Sequence, residues 1–310
     1  MVLKQILNIC DLIDSSTIDG QIMKEYLESL GGKDIEVKTI QGDKGKTDFI
    51  RIRIPGVNGK TNGKYAPTLG VLGELGGIGA RPEMIGMVSD ADGAVVALAV
   101  AAKLLDMKNK GDYLNGDVII STHICPYAPT QPHKPVPFMD SPVDTATINN
   151  EEVIDEFDAI LSIDTTKGNR IINHRGFAIS PTVKEGYILK TSDDLLDIMQ
   201  ITTGKLPVVF PITTQDITPY GNDIYHLNSI LQPSTATNAP VVGVAITTEV
   251  VVPGCATGAS HPFDLEQAAR FTVEVAKQFG QGDCKFFDEK EFERINRLYG
   301  NMHHIQTLGK

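Results

Sequence analysis

Three residues combine metal-binding chemistry with one kind of position in the chain. Asp90 stands just ahead of the apolar stretch GAVVALAVAAKLLD at 93–106. Asp164 ends the apolar run AILSID, and His261 lies in the glycine-rich turn GCATGASHPFD ahead of the last long amphipathic stretch. Two hard carboxylates and an imidazole make a donor set suited to Zn²⁺, Mn²⁺ or Co²⁺. Glu74, in the turn after an earlier apolar run, is a fourth candidate. Each residue also has a plainer reading. An Asp ahead of a helix is commonly an N-cap, a lone loop histidine is commonly exposed, and a loop glutamate is commonly solvated.

The elements that would position these residues follow from periodicity. Leu3, Ile6, Leu7, Leu12 and Ile13 have helical spacing. Met23, Tyr26, Leu27 and Leu30 do too, with a cap offered by Ser15, Ser16 and Thr17 and a stop at Gly31–Gly32. Residues 35–40 and 47–54 alternate like strands, and the glycine-rich 56–64 is a turn or loop. Short apolar runs at 68–72, 117–122, 159–163, 208–210 and 241–247 read as buried strands, interleaved with helices at 93–106 and 264–279. The expected fold is α/β, a mainly parallel central sheet with helices on both faces, as one domain over 1–310. In such sheets the loops at strand carboxyl ends line the ligand crevice. Asp90, Asp164 and His261 would then share one edge. The segment 125–142 holds six prolines and follows a strand end. It reads as a stiff loop without regular structure, either a lid or interface element or a plain connection.

Bulk properties narrow the function classes. A net charge of −11 and a pI near 5.1 disfavour nucleic acid and anionic membranes as partners. No stretch approaches the roughly 20 apolar residues that cross a bilayer. The start MVLKQILNICDLID lacks the features of a signal peptide, so the cytoplasm is expected. Cys10, Cys125, Cys255 and Cys284 are far apart and form no CxxC, so free thiols are expected. The turn GELGGIGA lacks a dinucleotide fingerprint, no P-loop is present, and His303–His304 reads as a frayed tail.

The order of these features resembles the co-catalytic zinc aminopeptidases, particularly the glutamyl and tetrahedral aminopeptidase group, as a divergent branch. ICDLIDSSTIDGQIMKEYLESLGG looks like that family's opening helices. VLGELGGIG aligns with the strand and turn that carry its first His ligand, SDADGAVVALAVAAKLLD with its bridging-aspartate helix, and ILSIDTTKGN with the strand delivering a carboxylate ligand. PYGNDIYHLNS resembles the helix-opening GTDA stretch, and VVGVAITTEVVVPGCATGASHPFDLEQAARF the strand, loop, ligand His and last helix. The resemblance implies a zinc-aminopeptidase-like, phosphorylase/hydrolase-like architecture. It also implies a divalent metal site, zinc first and manganese or cobalt next, with Asp90 bridging and Asp164, His261 and Glu74 as further ligands.

Departures from the pattern matter equally. Glu74 stands where the family has His, and Gly76 where it has the Asp that orients that His. After the strand at 117–122 the family carries a Glu–Glu pair. Here the chain reads His123, Ile124, Cys125, Pro126, with no acid between Asp117 and Asp140. The large inserted dimerisation domain has no room between GGIGA and Asp90. His123 and His133 are therefore the candidate catalytic bases, since an imidazole takes a proton near neutral pH. Three readings stay open: a metal-dependent hydrolase of small amide or peptide-like substrates with a rearranged site, a non-catalytic relative binding a ligand or partner in the old cleft, and an unrelated α/β enzyme. A small-molecule or peptide-like substrate is the expected partner, and homo-oligomers are common for such folds.

Overall fold

The computed structural model describes residues 1–74, 76–213, 224–252 and 254–307. The chain opens with helices α1 (Leu3–Ile13) and α2 (Gly20–Ser29), then the hairpin β1 (Asp34–Gly42) and β2 (Gly45–Ile54). Strand β3 (Leu69–Gly73), helix α3 (Asp92–Asn109) and strand β4 (Val118–Ile124) follow. A two-stranded ribbon, β5 (Thr130–Gln131) and β6 (Phe138–Met139), leads to helix α4 (Thr145–Glu152) and strand β7 (Ala159–Thr165). Short strands β8 (Gly176–Ile179), β9 (Val183–Lys184) and β10 (Tyr187–Ile188) precede helix α5 (Asp193–Thr203). Strand β11 (Val241–Thr247) and helices α6 (Pro262–Gln281) and α7 (Glu289–Tyr299) complete the order.

Nine strands form one sheet in the order β1-β2-β4-β3-β7-β11-β9-β10, with β8 also paired to β11. The four central strands β4, β3, β7 and β11 are mutually parallel. The hairpin on one side and β8 to β10 on the other are antiparallel. This is the α/β architecture expected from the sequence. The central strands are buried on both faces, which is why they read as continuous apolar runs rather than alternations.

Helices α1, α3, α5 and α6 share one core with one sheet face, including Ile50, Val71, Leu161 and Val244. The other face packs Leu72, Ile160 and Ala245 against Ile230 and Leu231 of a short 3₁₀ segment, Ser229–Thr235. Helix α4 covers the same side near the hairpin, with Ile148 against Phe49. Helix α3 is apolar all round because it lies between the sheet, α1 and α6. It sits so close to the strand ends that a Cβ on Gly93 would overlap the carbonyl oxygen of Ile163.

Several local expectations need correction. Residues 208–210 form no strand but a single bridge between Val209 and Ile179. Pro207 and Pro211 flank this segment and supply no N–H to extend a ladder. The second helix is capped by Asp19, which accepts from the Ile22 N–H, and not by residues 15–17. The proline-rich segment is not wholly irregular. Its prolines leave a two-residue ladder, Thr130 opposite Met139 and Gln131 opposite Phe138. Of the PYGNDIYHLNS stretch, residues 219–223 lie outside the described residues, as does Leu75 within VLGELGGIG. All four cysteines are free. No described helix is long and apolar enough to cross a membrane.

Candidate functional site

Strand register brings the candidate residues into one row. Gly73 of β3 lies opposite Thr122 of β4 and Ile163 of β7, so Glu74, His123 and Asp164 stand level at the carboxyl edge. That level splits into a buried polar layer and an open cleft.

The buried layer contains Glu74, His123 and Glu152, all nearly inaccessible. The Gly76 N–H donates to His123 Nε2 at 3.0 Å, and His123 Nδ1 lies 2.7 Å from Glu152 Oε1. A backbone N–H can only donate, so Nε2 is the unprotonated acceptor and Nδ1 carries the proton toward Glu152. Burial pushes the His123 pKa down to about 4. The ring is thus a neutral structural link with both nitrogens engaged, and in this arrangement neither is open to substrate or metal. Gly76 has a steric reason to be glycine. A Cβ there would overlap the His123 carbonyl oxygen, so the family's Asp could not stand at this position.

Glu74 accepts from Gln232 Nε2 at 3.1 Å and from Ser162 Oγ at 3.5 Å. Burial and the nearby Glu152 carboxyl hold its pKa well above the ordinary range, against the opposing effect of the two donors. Burial does the same to Glu152, with Arg51 pulling the other way. Glu152 Oε2 has no hydrogen-bond partner. Glu152 is not singled out by the sequence motifs. Its only local signal is the Glu151–Glu152 pair at the end of α4, well past the strand end where the resembled family carries its Glu–Glu pair.

The open cleft has a volume of about 550 Å³ and is lined by Asp90 and Asp164 together with Cys255, Gln232 and the rim residues Lys44 and Asp140. Asp90 belongs to a 3₁₀ turn, Ser89–Ala91, and is not a helix cap. The residue before α3 is Ala91, which makes no side-chain cap bond. Asp90 is only 3% exposed and its Oδ1 has no hydrogen-bond partner. Burial chiefly, with a smaller push from Asp92, raises its pKa to about 8, while a hydrogen bond with Cys255 opposes the rise. Asp164 Oδ1 accepts from the Thr165 N–H at 2.6 Å. The Cys255 thiol feels both carboxylates, which add to burial in pushing its pKa up. Cys255 thus lines the cleft with both carboxylates and is hydrogen-bonded to Asp90. Its position in GCATGAS, between β11 and α6, was the available clue.

The remaining candidates lie elsewhere. His261 is the residue preceding α6, exposed, and is not among the residues lining the cleft. His133 sits in the β5–β6 turn, with Nδ1 beside the Val136 carbonyl at 2.9 Å and its ring stacked on Phe138. It lines a neighbouring cavity rather than this one. Among the described residues, no group of three or more His, Cys, Asp or Glu side chains is arranged to hold a metal ion. Catalytic zinc normally takes three protein ligands. Among the described residues, a paired-zinc ligand set is therefore not assembled. What fits a cation is narrower: two cleft carboxylates, one with an orphaned buried oxygen. Hard divalent ions accept one or two carboxylates and complete their shell with water.

Solved structures with the same fold include the bottromycin maturation enzyme BotP. It has a TM-score of 0.53 at 14% identity, covering 91% of this chain and 70% of that one. The cytosol aminopeptidase from Coxiella burnetii has a TM-score of 0.51 at 15% identity, covering 89% and 68%. A glutaminyl cyclase from Macrostomum lignano gives 0.51 at 11% identity, covering 91% and 90%. At these identities the likeness is one of fold. No curated protein matches the sequence. A family model matches residues 38–309, and the chain accordingly belongs to the family described as "Protein of unknown function (DUF1177)".

Proposed function

We propose that this protein is a hydrolase of small amide or peptide-like substrates, working in the cleft at the carboxyl edge of the sheet with one divalent cation held by Asp90 and Asp164. The observation that carries this reading is the pairing of those two carboxylates in one cleft, with Asp90 Oδ1 buried and unpartnered. A divalent ion there would acidify water and polarise a substrate carbonyl. The chain's own residues do the rest. The Thr165 N–H fixes the Asp164 carboxylate. The Gln232 amide is held by Glu74 on the cleft wall and keeps that wall polar. The ribbon and the Lys44–Asp140 ion pair form a rim that limits water access. His133 is the histidine nearest to a role as proton carrier, since it lines the adjoining cavity.

Calorimetric titration with Zn²⁺ and with Mn²⁺ tests the reading. The wild type is expected to take up metal, and Asp90→Asn to bind it about 100-fold more weakly or not at all. The metal-loaded wild type should turn over short peptides or amides. A protein that takes up neither ion and stays inert when they are supplied would overturn it. That outcome would favour the second reading, a non-catalytic relative that binds a ligand in the cleft. The locked His123 and the outlying His261 are the observations on that side.

A further inference from the structure

Beside the acidic cleft lies a second cavity of about 600 Å³, and the two share Thr165 and Cys255 in their walls. Their charges are opposite. The first is lined by five aspartates, and its one lysine, Lys44, is paired with Asp140. The second is lined by His133, Lys134, Lys167 and Arg170, and among the described residues no carboxylate lines it. In a chain of net charge −11 such a segregation runs against composition. Lys167 is already committed, buried in an ion pair with Asp92 and donating to the Ala259 carbonyl at 3.1 Å. Lys134 and Arg170 make no ion pair among the described residues. The remaining wall is uncharged and mixed, with Phe138, Ile171 and Val251 alongside Thr166, Asn169 and Asn228.

We propose that this second cavity is the binding site for a ligand's free carboxylate, held by Lys134 and Arg170, and that the substrate class is short peptides with an unblocked C-terminus. The inference deepens the hydrolase reading and rests on it for the word substrate. The binding claim stands separately. The two fields fix the direction of entry. A carboxylate is repelled from the aspartate-lined cleft and attracted into the neighbouring one. A guanidinium offers paired donors that match a carboxylate, while Phe138, Ile171 and Val251 suit an apolar side chain next to it. Thr165 and Cys255 stand in both walls, so the two cavities adjoin directly, and a short peptide with its carboxylate in the second cavity extends toward the first.

The test compares a pool of free dipeptides with the same pool amidated at the C-terminus, using ligand-observed NMR on the full chain. The free pool is expected to bind the wild type about tenfold more tightly than the amides. The exposed double substitution Lys134→Gln with Arg170→Gln should erase that difference while the melting temperature stays unchanged. Equal binding of both pools overturns the proposal. So does a preference for the free acids that survives in the double variant, or failure of either pool to bind at millimolar concentration. Metal uptake, measured separately, keeps the two ideas apart. Carboxylate preference without metal uptake leaves this site standing and removes the hydrolase reading. Metal uptake without the preference does the reverse.

Discussion

At the scale of single residues, the His123 ring shows how surroundings decide what an imidazole can do. The same side chain that would be a base in water here bridges the Gly76 N–H and Glu152. Its depressed pKa has a consequence for stability. Between about pH 6.5 and pH 4 the unfolded chain binds a proton that the folded chain refuses, so folding stability rises with pH across that window. His123→Gln removes this dependence. The wild type should exceed the variant in unfolding free energy most at neutral pH. The gap should shrink by about 3 kcal/mol as pH falls through 6.5 to 4. Chemical denaturation at several pH values reads it directly, and a gap independent of pH would contradict the neutral, doubly engaged ring. Neither this network nor the role of Glu152 was legible in the sequence, because residues 74, 123 and 152 meet only through strand register and the return of α4.

At the scale of elements, the start of α3 is fastened to two loops. Asp92 pairs with Lys167 and accepts from Ser260 Oγ at 2.5 Å, so one buried carboxylate ties α3 to the segments after β7 and β11. Lys167 reaches it with a left-handed backbone, φ 50°, a conformation that non-glycine residues hold only when their surroundings impose it. Removing one partner of a buried ion pair strands the other charge. Asp92→Ala should therefore cost about 3–5 kcal/mol in denaturant unfolding. Lys167→Met added to it should recover much of the loss, whereas additive losses would show that the pair is not coupled. Nothing local in the SDADG run marks Asp92 for this role. Its partner lies 75 positions away.

At the scale of the whole molecule, the aromatic contact between Phe177 of β8 and Phe271 of α6 joins the antiparallel side of the sheet to the helical layer, with ring centroids 5.1 Å apart. Both rings are fully buried. Phe271→Ala should lower unfolding free energy by about 3–5 kcal/mol, through lost burial and the cavity left behind. A loss under 1 kcal/mol, read by the same denaturant titration, would mean the layers repack without this contact.

The sequence by itself determined the architecture. Continuous apolar runs at β3, β4, β7 and β11, spaced by the apolar α3 and the amphipathic α6, have one economical solution, a parallel sheet with its helices laid against it. Period and burial are local properties, so they can be read in one dimension. Where that local signal weakens, in the short strand β8, the single bridge at 208–210 and the polar α4, periodicity does not specify the element. The candidate site divided the same way. Asp90 and Asp164 were visible because both occupy strand-to-helix junctions, and tertiary structure brought them to one cleft around Cys255. It also set His261 outside that cleft, engaged both nitrogens of His123, and placed a basic cavity next to an acidic one. Those outcomes depend on register and loop return. They are sums over distant parts of the chain, and no spacing along the sequence encodes them.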